Sequence, residues 1–297
     1  MLSLIKFHRY LSWLAGFWML WMIISGLFLQ HKKYYFSMVY HIESLQMDFM
    51  TADKTVKNPF LLKMENKRRV EMPRDEQPFW VVRELNGDVS CFRSHSYEKL
   101  SSTPYVFYRR IRSLHQKLNL GDYGKRVQIL FVLLSLLLIG SGIWSGVGNS
   151  FSSRHAKAGI MICIPFLWVI FTGTAFFIKD IEMIQSMMQR KKVETQNFPK
   201  NISRVDYKKS SIHFRYRKNS DPHPIGSGRG SVEGEVIYLE TLDDSFLSSL
   251  SNRLMHFHTG WGSSLFFMYR ILMFMTMCCL VFLLKKIFQR INFFNSI

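Results

Sequence analysis

The stretch HRYLSWLAGFWMLWMIISGLFL, from His8 to Leu29, is followed later in the chain by a second stretch of the same pattern, HAKAGIMICIPFLWVIFTGTAFF, which begins at His155. In each stretch a histidine with basic neighbours precedes an uncharged run and a Ser-Gly or Thr-Gly pair. The spacing from His8 to Gly26 equals the spacing from His155 to Gly173, namely 18 residues. At about 1.5 Å of rise per residue this spacing covers roughly 27 Å, close to the hydrocarbon thickness of a bilayer. We therefore predict that each stretch crosses a membrane once, with the histidine at one rim and the small pair at the other.

Apolar residues are gathered into four blocks that are long enough to span a bilayer. The blocks are Tyr10–Gln30, 127–149, 158–178 and 264–284, and the first three contain no charged side chain. The first block is too long in its apolar core for a signal peptide, and no small-x-small cleavage site follows it. We interpret it as a retained helix, so the sequence predicts an α-helical membrane protein with a bundle of four transmembrane helices.

The net charge of +18 would indicate nucleic acid binding in a soluble protein, but in a membrane protein the basic residues near span ends fix orientation instead. Seven basic residues at span ends fall on one side of the predicted bilayer: Lys6, Arg9, Arg154, Lys157, Lys285, Lys286 and Arg290. We expect that side to be cytoplasmic, with both termini inside and both long connections outside. The lipid bilayer is therefore an expected partner, and nucleic acid is not.

The first long connection contains a strong hairpin signal. Residues 79–92 read FWVVRELNGDVSCF, two β-prone runs joined by Asn86-Gly87, whose turn positions need positive φ. Residues 105–120 place apolar residues near helical spacing beside three arginines, which predicts an amphipathic helix at the outer membrane surface. Gly121-Asp-Tyr-Gly124 is expected to break that helix and to lead into the second span.

The second long connection also contains β-prone runs separated by a turn-rich segment, over fewer residues. Residues 210–217 alternate Ile212, Phe214 and Tyr216 with polar side chains, and 235–239 form another apolar run after the Gly/Ser/Pro-rich connection 221–230. Two or three strands fit this pattern, and the chain as a whole reads as a twofold repeat of span, outer domain and span. The predicted divisions are 1–31 (first span), 32–112 (first outer domain), 113–149 (turn and second span), 150–178 (inner loop and third span), 179–253 (second outer domain) and 254–297 (fourth span and tail).

Four histidines occupy related places in this repeat. His8 and His155 lie at the inner ends of the first and third spans, and His115 and His258 lie just before the outer ends of the second and fourth. A haem b takes two neutral imidazoles from facing helices as axial ligands, and no CxxC pair for covalent attachment is present. Two histidine pairs, one at each face, would hold two haems b and form an electron path across the bilayer. The alternative for each histidine is an interfacial side chain in contact with lipid headgroups and water.

Two further histidines compete for the outer positions. His31 lies 23 residues after His8, or roughly 34 Å along one helix, which is farther than the bilayer core is thick. His256 is an open alternative to His258, and we prefer His258 because the Thr-Gly pair that follows it allows close approach of another backbone.

Two arginines are candidate partners for the haem propionates. Arg126 and Arg270 follow His115 and His258, respectively, by nearly the same number of residues. A charged side chain within a span is costly unless it reaches water or an anion. Snorkelling of both arginines to the interface is the alternative interpretation.

The order of these motifs resembles the PepSY-associated transmembrane family, which includes siderophore-iron reductases. The resemblance rests on four groups of residues: His8-Arg9 with Ser25-Gly26, Leu114-His115 with LGDYGKR at 120–126, His155 with Thr172-Gly173, and Phe257-His258-Thr-Gly260. It implies a four-helix haem b core with two small α+β PepSY-like periplasmic domains, in the inner membrane of a Gram-negative bacterium. His8, His115, His155 and His258 fall where the family has its motif histidines.

We therefore expect a membrane-bound haem b reductase that passes electrons to a periplasmic acceptor, a ferric siderophore or another ferric chelate. Basic outer segments attract anionic chelates, and reduction weakens the binding of iron by hard oxygen ligands. No GxGxxG-type nucleotide or flavin fingerprint occurs, so the expected electron donor is quinol or a partner protein. The competing hypothesis is a non-catalytic membrane subunit whose outer domains bind or regulate a partner protein.

Overall fold

The computed structural model describes residues 2–42, 66–74, 76–147, 190–193, 202–208, 211–216, 226–231 and 236–242, together with positions 163, 167, 271, 273–278, 280–282 and 285. The chain divides into two compact units. The helical unit comprises Met1–Gln30, Arg109–Phe177 and Leu254–Ile297, and the sheet unit comprises His31–Tyr108 and Ile178–Arg253. Each unit is therefore assembled from segments that are far apart in the chain.

Long apolar helices form the frame of the helical unit. The described helices of the whole chain are α1 (Leu2–Gln30), α2 (Lys32–Tyr40), α3 (Thr103–Lys117) and α4 (Gly121–Val147), and a shorter apolar helix runs over Met273–Phe282. Of these, α2 and the first residues of α3 belong to the sheet unit. Within α1 and α4, Tyr10–Gln30 and Gly121–Gly142 are long and apolar enough to cross a membrane. The first two predicted spans are thus confirmed as helices of sufficient length. The third span lies outside the described residues except for positions 163 and 167, so the four-helix bundle and the twofold repeat stay predictions.

The helical unit has a small apolar core between α1 and its neighbours. Trp18, Met19 and Ile23 of α1 are buried together with Leu280 of the C-terminal helical residues. From α4, Phe131 packs against this cluster, with its ring stacked on Trp18 at a centroid distance of 5.5 Å. Ridges of side chains from three separate parts of the chain therefore meet in the middle of α1.

The outward faces of α1 and α4 are apolar as well. Leu14 and Phe17 on α1, and Leu133 and Leu137 on α4, are exposed to more than half of their full extent. Large apolar side chains in continuous exposed rows are unfavourable in water and suit contact with lipid tails.

Nine described strands form one antiparallel sheet in the sheet unit. They are β1 (Lys67–Glu71), β2 (Phe79–Glu84), β3 (Val89–Arg93), β4 (Lys99–Leu100), β5 (Arg190–Val193), β6 (Ile202–Lys208), β7 (Ser211–Tyr216), β8 (Gly226–Ser231) and β9 (Val236–Leu242). Their order across the sheet is β4-β3-β2-β1-β6-β7-β8-β9-β5. The first four strands come from the first long connection and the last five from the second.

The two connections meet where β1 pairs with β6. Val70 lies opposite Val205 in this pairing, and Arg69 lies opposite Asp206, to which it donates a hydrogen bond of 2.5 Å. The two connections are predicted to form separate outer domains, whereas the described strands of both belong to a single sheet. The reason is that the edge of β1 complements that of β6: Val70 lies opposite Val205, and Arg69 pairs with Asp206.

The predicted hairpin is confirmed between β2 and β3. Gly87 adopts φ +96°, a region that glycine enters without steric cost. The Asn86 side-chain oxygen accepts a hydrogen bond of 2.9 Å from the Asp88 backbone N–H, which closes the turn locally.

The second half of the sheet contains more strands than predicted. Ile212, Phe214 and Tyr216 of β7 are buried, as their alternation indicates. The connection 221–230, however, contributes β8, which reads GSGRGS and pairs with both β7 and β9. Glycine and serine have low strand propensity, and this strand exists because its neighbours supply backbone partners on both sides.

An aromatic cluster fixes α2 and α3 on the sheet. The ring of Phe79 on β2 lies 4.9 Å from those of Phe36 and Tyr40 on α2, and 6.2 Å from that of Tyr105 on α3. Edge-to-face pairs of this kind contribute about 0.5–1.5 kcal/mol each beyond their buried area. The amphipathic helix predicted at 105–120 therefore exists as α3, and Tyr105 and Tyr108 are buried within the protein.

The turn between α3 and α4 lies earlier than predicted. Leu118 and Asn119 have positive φ values of 50° and 58°, and they end α3 before the glycines begin. Gly121 to Gly124 form the first turn of α4 rather than a break. Gly124 is essential to this arrangement because a Cβ atom there would overlap the backbone carbonyl of Lys117.

Candidate functional site

Three of the predicted site residues lie in the described part of the chain: His8, His115 and Arg126. The remaining four, His155, His256, His258 and Arg270, lie outside the described residues. Among the residues that the structure describes, no group of three or more His, Cys, Asp or Glu side chains converges to hold a metal ion. Two imidazoles are enough to hold a haem iron, and two is a smaller set than this.

His8 of α1 is held by a serine of α4. Its Nδ1 lies 2.9 Å from the Ser141 hydroxyl oxygen, and the same hydroxyl lies 2.9 Å from the Leu138 carbonyl. A carbonyl can only accept, so the hydroxyl proton goes to Leu138 and the hydroxyl oxygen accepts from Nδ1–H of the histidine. The lone pair of a neutral His8 ring is therefore on Nε2, an atom through which imidazole ligates metals.

His115 of α3 is held in the same way by a serine of α1. Its Nδ1 lies 2.8 Å from the Ser25 hydroxyl oxygen, and that hydroxyl donates to the Trp21 carbonyl at 2.6 Å. The Ser25 oxygen again accepts from Nδ1–H, which places the lone pair of the neutral ring on Nε2. Both histidines thus have the tautomer that an Nε2 metal ligand needs.

A glycine follows each serine and lets the imidazole approach the facing backbone. A Cβ atom on Gly142 would lie 3.2 Å from His8 Cε1, and one on Gly26 would lie 3.5 Å from His115 Cε1. The first distance is tighter than an ordinary contact between carbon atoms, which is about 3.5–4.0 Å. The serine and the glycine of each pair thus set the position and the plane of a histidine that belongs to another helix.

The two histidine sites are far apart along α1. His8 and Ser25 are separated by 17 residues of the helix, which corresponds to roughly 26 Å. No single metal ion can bind both His8 and His115 across such a distance. They are therefore two sites at opposite ends of the pair formed by α1 and α4.

The backbone at His115 has a second anchor. Gln128 of α4 is only 2% exposed, and its amide nitrogen donates to the His115 carbonyl at 3.0 Å. Its amide oxygen accepts from the Trp18 indole at 2.8 Å. The His115 carbonyl is one of the last four of α3, which have no partner within their own helix. Gln128 satisfies it and links α3, α4 and α1.

Replacing Gln128 with leucine is expected to lower the free energy of unfolding of the helical unit by about 2 kcal/mol or more, because the Trp18 indole and the His115 carbonyl both lose a buried partner. Thermal unfolding of the protein in detergent, followed by tryptophan fluorescence, measures the change. Gln116→Leu on the exposed side of α3 is the matched control. Equal unfolding temperatures for the two variants would contradict the role given to Gln128.

Arg126 lies on the first turns of α4. Its guanidinium carbon is 5.7 Å from the centroid of the Tyr123 ring, which is 75% exposed. A cation on an exposed aromatic face is typical of a membrane-interface anchor, the alternative given above for this residue. Pairing with a haem propionate stays a prediction.

Both described histidines are predicted by their spacing in the sequence, but the role of the serines is not. The sequence pattern predicts Ser25-Gly26 only as a small pair at one rim of the first span. The hydroxyls of Ser25 and Ser141 are the acceptors that set the histidine tautomers, and the recurrence of Ser-Gly at 25–26 and 141–142 was the signal for this role.

The comparison with family models matches residues 6–284 of the chain to the family described as the PepSY-associated TM region. The match covers nearly the whole chain and includes every residue of the two described sites. It confirms the resemblance that rests on the order of the histidine motifs. A comparison with curated proteins gave no match.

Proposed function

The chain belongs to the PepSY-associated TM region family, whose members are membrane proteins, and on that premise we propose that it is a haem b protein that carries electrons across the bacterial inner membrane to a periplasmic ferric chelate. Haem b, when bound, supplies one-electron chemistry at iron. Release of iron follows because the ferrous ion binds hard oxygen ligands more weakly than the ferric ion. The electron donor in this proposal is quinol or a partner protein.

The observation that carries the proposal is the pair of serine–histidine contacts. Metal-ligating histidines almost always donate their other ring N–H to a fixed acceptor, which sets the tautomer and the ring orientation. Ser141 and Ser25 are such acceptors for His8 and His115. The donor set thus fits axial ligation through Nε2 at each end of α1.

Each described histidine would ligate one haem iron, and each iron needs a second axial ligand. We propose His155 as the partner of His8 and His258, with His256 as the alternative, as the partner of His115. Arg126 and Arg270 are the candidates to pair with propionates. The cytoplasmic position of both termini belongs to the same proposal.

The residues between the two sites keep water out. Trp18, Met19 and Ile23 are buried in the middle of α1, and Phe131 stacks on Trp18. An apolar wall of this kind keeps the dielectric constant low, so charge on a bound metal is compensated by fixed groups rather than by solvent. The histidines and their serines would position the bound metal, and the apolar core would exclude water from the region between the two sites.

A second candidate function is a non-catalytic membrane subunit that binds or regulates a partner protein. The serine–histidine contacts favour it in one respect: they are complete interhelical hydrogen bonds, which stabilise helix pairs in membranes without any cofactor. Under this alternative the purified protein is colourless.

A dithionite-reduced minus air-oxidised visible spectrum of the detergent-purified protein, expressed with haem supplied, separates the two functions. We expect sharp haem b bands and about two haems per chain, the number that two histidine pairs hold. The bands of the reduced protein are then expected to return to the oxidised form when ferric citrate is added under argon. A featureless spectrum from folded protein would reject the haem proposal and leave the partner-binding subunit.

A further inference from the structure

A strongly basic stretch of the helical unit runs over residues 109–126, and we call it the basic segment. It contains the last turns of α3, the turn that follows and the first turns of α4. The structure describes every residue of the segment. Its one acidic side chain, Asp122, lies 3.8 Å from Lys125 Nζ. The six basic side chains leave an excess of five positive charges: Arg109, Arg110, Arg112, Lys117, Lys125 and Arg126.

The three arginines of the basic segment that lie on α3 are exposed. Within the described ranges, none of their guanidinium groups forms an ion pair or a hydrogen bond. Successive residues of an α-helix are rotated by about 100°, so these three arginines and Lys117 fall within an arc of roughly 160° around α3. The side chain of His115, which contacts Ser25 of α1, lies outside this arc. One side of α3 therefore presents unpaired cations to the surroundings of the helical unit.

Two exposed aromatic side chains of α4 indicate where the membrane interfaces lie. Tyr123 and Trp144 are each 75% exposed, and 21 residues of helix separate them, which corresponds to roughly 32 Å. Tyrosine and tryptophan are enriched at both interfaces of a bilayer, whose hydrocarbon core is about 30 Å thick. The spacing therefore places Tyr123 at one interface. The basic segment, which contains Tyr123, lies at the level of the lipid headgroups.

An exposed apolar stripe of α4 begins next to the basic segment. Leu130, Leu133 and Leu137 follow Arg126 at helical spacing, and all four side chains are exposed. Arg126 and Leu137 are 11 residues apart, or roughly 16 Å of helix, close to the thickness of one leaflet. The Arg126 guanidinium carbon is 5.7 Å from the centroid of the Tyr123 ring. Cations at headgroup level thus continue directly into a surface that suits an acyl chain.

We propose that the basic segment binds the phosphate groups of anionic phospholipids, whose acyl chains lie along the apolar stripe of α4. Guanidinium groups form paired, charge-assisted hydrogen bonds with phosphate oxygens. Groups of four to eight Lys and Arg side chains beside a transmembrane helix are typical of anionic lipid recognition. A zwitterionic phospholipid carries its own cation beside the phosphate, so the excess charge favours an anionic headgroup. The position of the segment at the end of an apolar stripe favours a lipid over an acidic protein.

The test uses the full-length protein in detergent, with lipid added to the micelles at low, constant ionic strength. The probes are dioleoylphosphatidylglycerol and dioleoylphosphatidylcholine, which have the same acyl chains and differ in net charge. A ligand that binds only the folded state raises the unfolding temperature in a concentration-dependent way. We expect a larger rise with phosphatidylglycerol than with phosphatidylcholine. Added salt is expected to reduce the difference, because it screens exposed charges.

Arg109→Gln/Arg112→Gln is the test variant, since it removes two unpaired charges and leaves Arg126, the candidate for propionate pairing, in place. We expect it to weaken the apparent affinity for phosphatidylglycerol about tenfold or more and to leave the response to phosphatidylcholine unchanged. Arg109→Lys/Arg112→Lys keeps the charge and is expected to retain the preference for phosphatidylglycerol. Arg68→Gln/Lys99→Gln removes two charges from exposed positions of the sheet unit and is the matched control.

Three results would overturn the proposal. They are equal rises with the two lipids, equal weakening by the test variant and the matched control, and the same rise when soluble glycerol 3-phosphate replaces phosphatidylglycerol. The last result would mean that the segment binds phosphate from solution rather than a lipid. The proposal does not rest on the proposed function, because the lipid titration needs neither haem nor electron transfer. A colourless protein leaves the lipid result unaffected, and a negative lipid result leaves the haem spectrum unaffected.

Discussion

Replacing His115 with alanine is expected to remove about half of the haem absorbance of the purified protein, and replacing His8 is expected to remove a similar share. The reason is the distance along α1: the two histidines lie at opposite ends of a helix pair and cannot serve one iron. The double variant His8→Ala/His115→Ala is therefore expected to be almost colourless. Haem and protein quantified on the same sample give the ratio for each variant.

Two controls make this series decisive. His95→Ala changes an exposed histidine of the sheet unit and is expected to keep the full haem content. Ser25→Ala and Ser141→Ala leave the ligands in place but remove the acceptors of Nδ1–H, so we expect haem affinity to fall about 10- to 100-fold at one site each. Full haem content in both single histidine variants would reject the ligand assignment and favour the interhelical hydrogen bonds as purely structural contacts.

Replacing Gly124 with alanine is expected to disrupt the turn between α3 and α4 and to lower the free energy of unfolding by about 3 kcal/mol or more. The added Cβ atom would overlap the Lys117 carbonyl, which is backbone and cannot move aside as a flexible side chain does. The displacement of α3 would also shift His115 relative to Ser25. Unfolding in detergent, measured as the temperature at which near-ultraviolet circular dichroism is lost, reports the change.

Gly140→Ala is the matched substitution on the same helix. Nothing lies within 4 Å of the position that its Cβ would take, and alanine is the better helix former. This variant is expected to unfold at the same temperature as the unchanged protein or higher. If the Gly124→Ala and Gly140→Ala variants unfold at the same temperature, the close contact of position 124 with the Lys117 carbonyl does not contribute to stability.

Regular patterns were readable from the sequence. The uncharged runs predicted α1 and α4, the Asn-Gly pair predicted the hairpin between β2 and β3, and the alternation at 212–216 predicted the buried face of β7. Each of these signals is local, since a periodicity or a turn residue acts within a few positions of itself.

The features that the sequence did not reveal depend on distant partners. β1 reads KRRVE and β8 reads GSGRGS, and neither has the composition of a strand; both are strands because neighbours pair with them on two sides. In the candidate site, too, the part that depends on local spacing could be predicted and the part that depends on distant residues could not. His8 and His115 stood out by spacing, but the serine that holds each one lies on another helix, 133 residues away for His8 and 90 for His115.

The pairing of β1 with β6 has a consequence for how the chain matures during synthesis. Arg69 precedes its partner Asp206 by 137 residues, so β1 is made long before β6 exists to cover it. An uncovered strand edge is a template for pairing with other chains, and charged side chains along an edge are a common defence against it. In β1 three consecutive charged residues can oppose such pairing: Lys67, Arg68 and Arg69. The most charged strand of the sheet is thus the one that has to wait for its partner without aggregating.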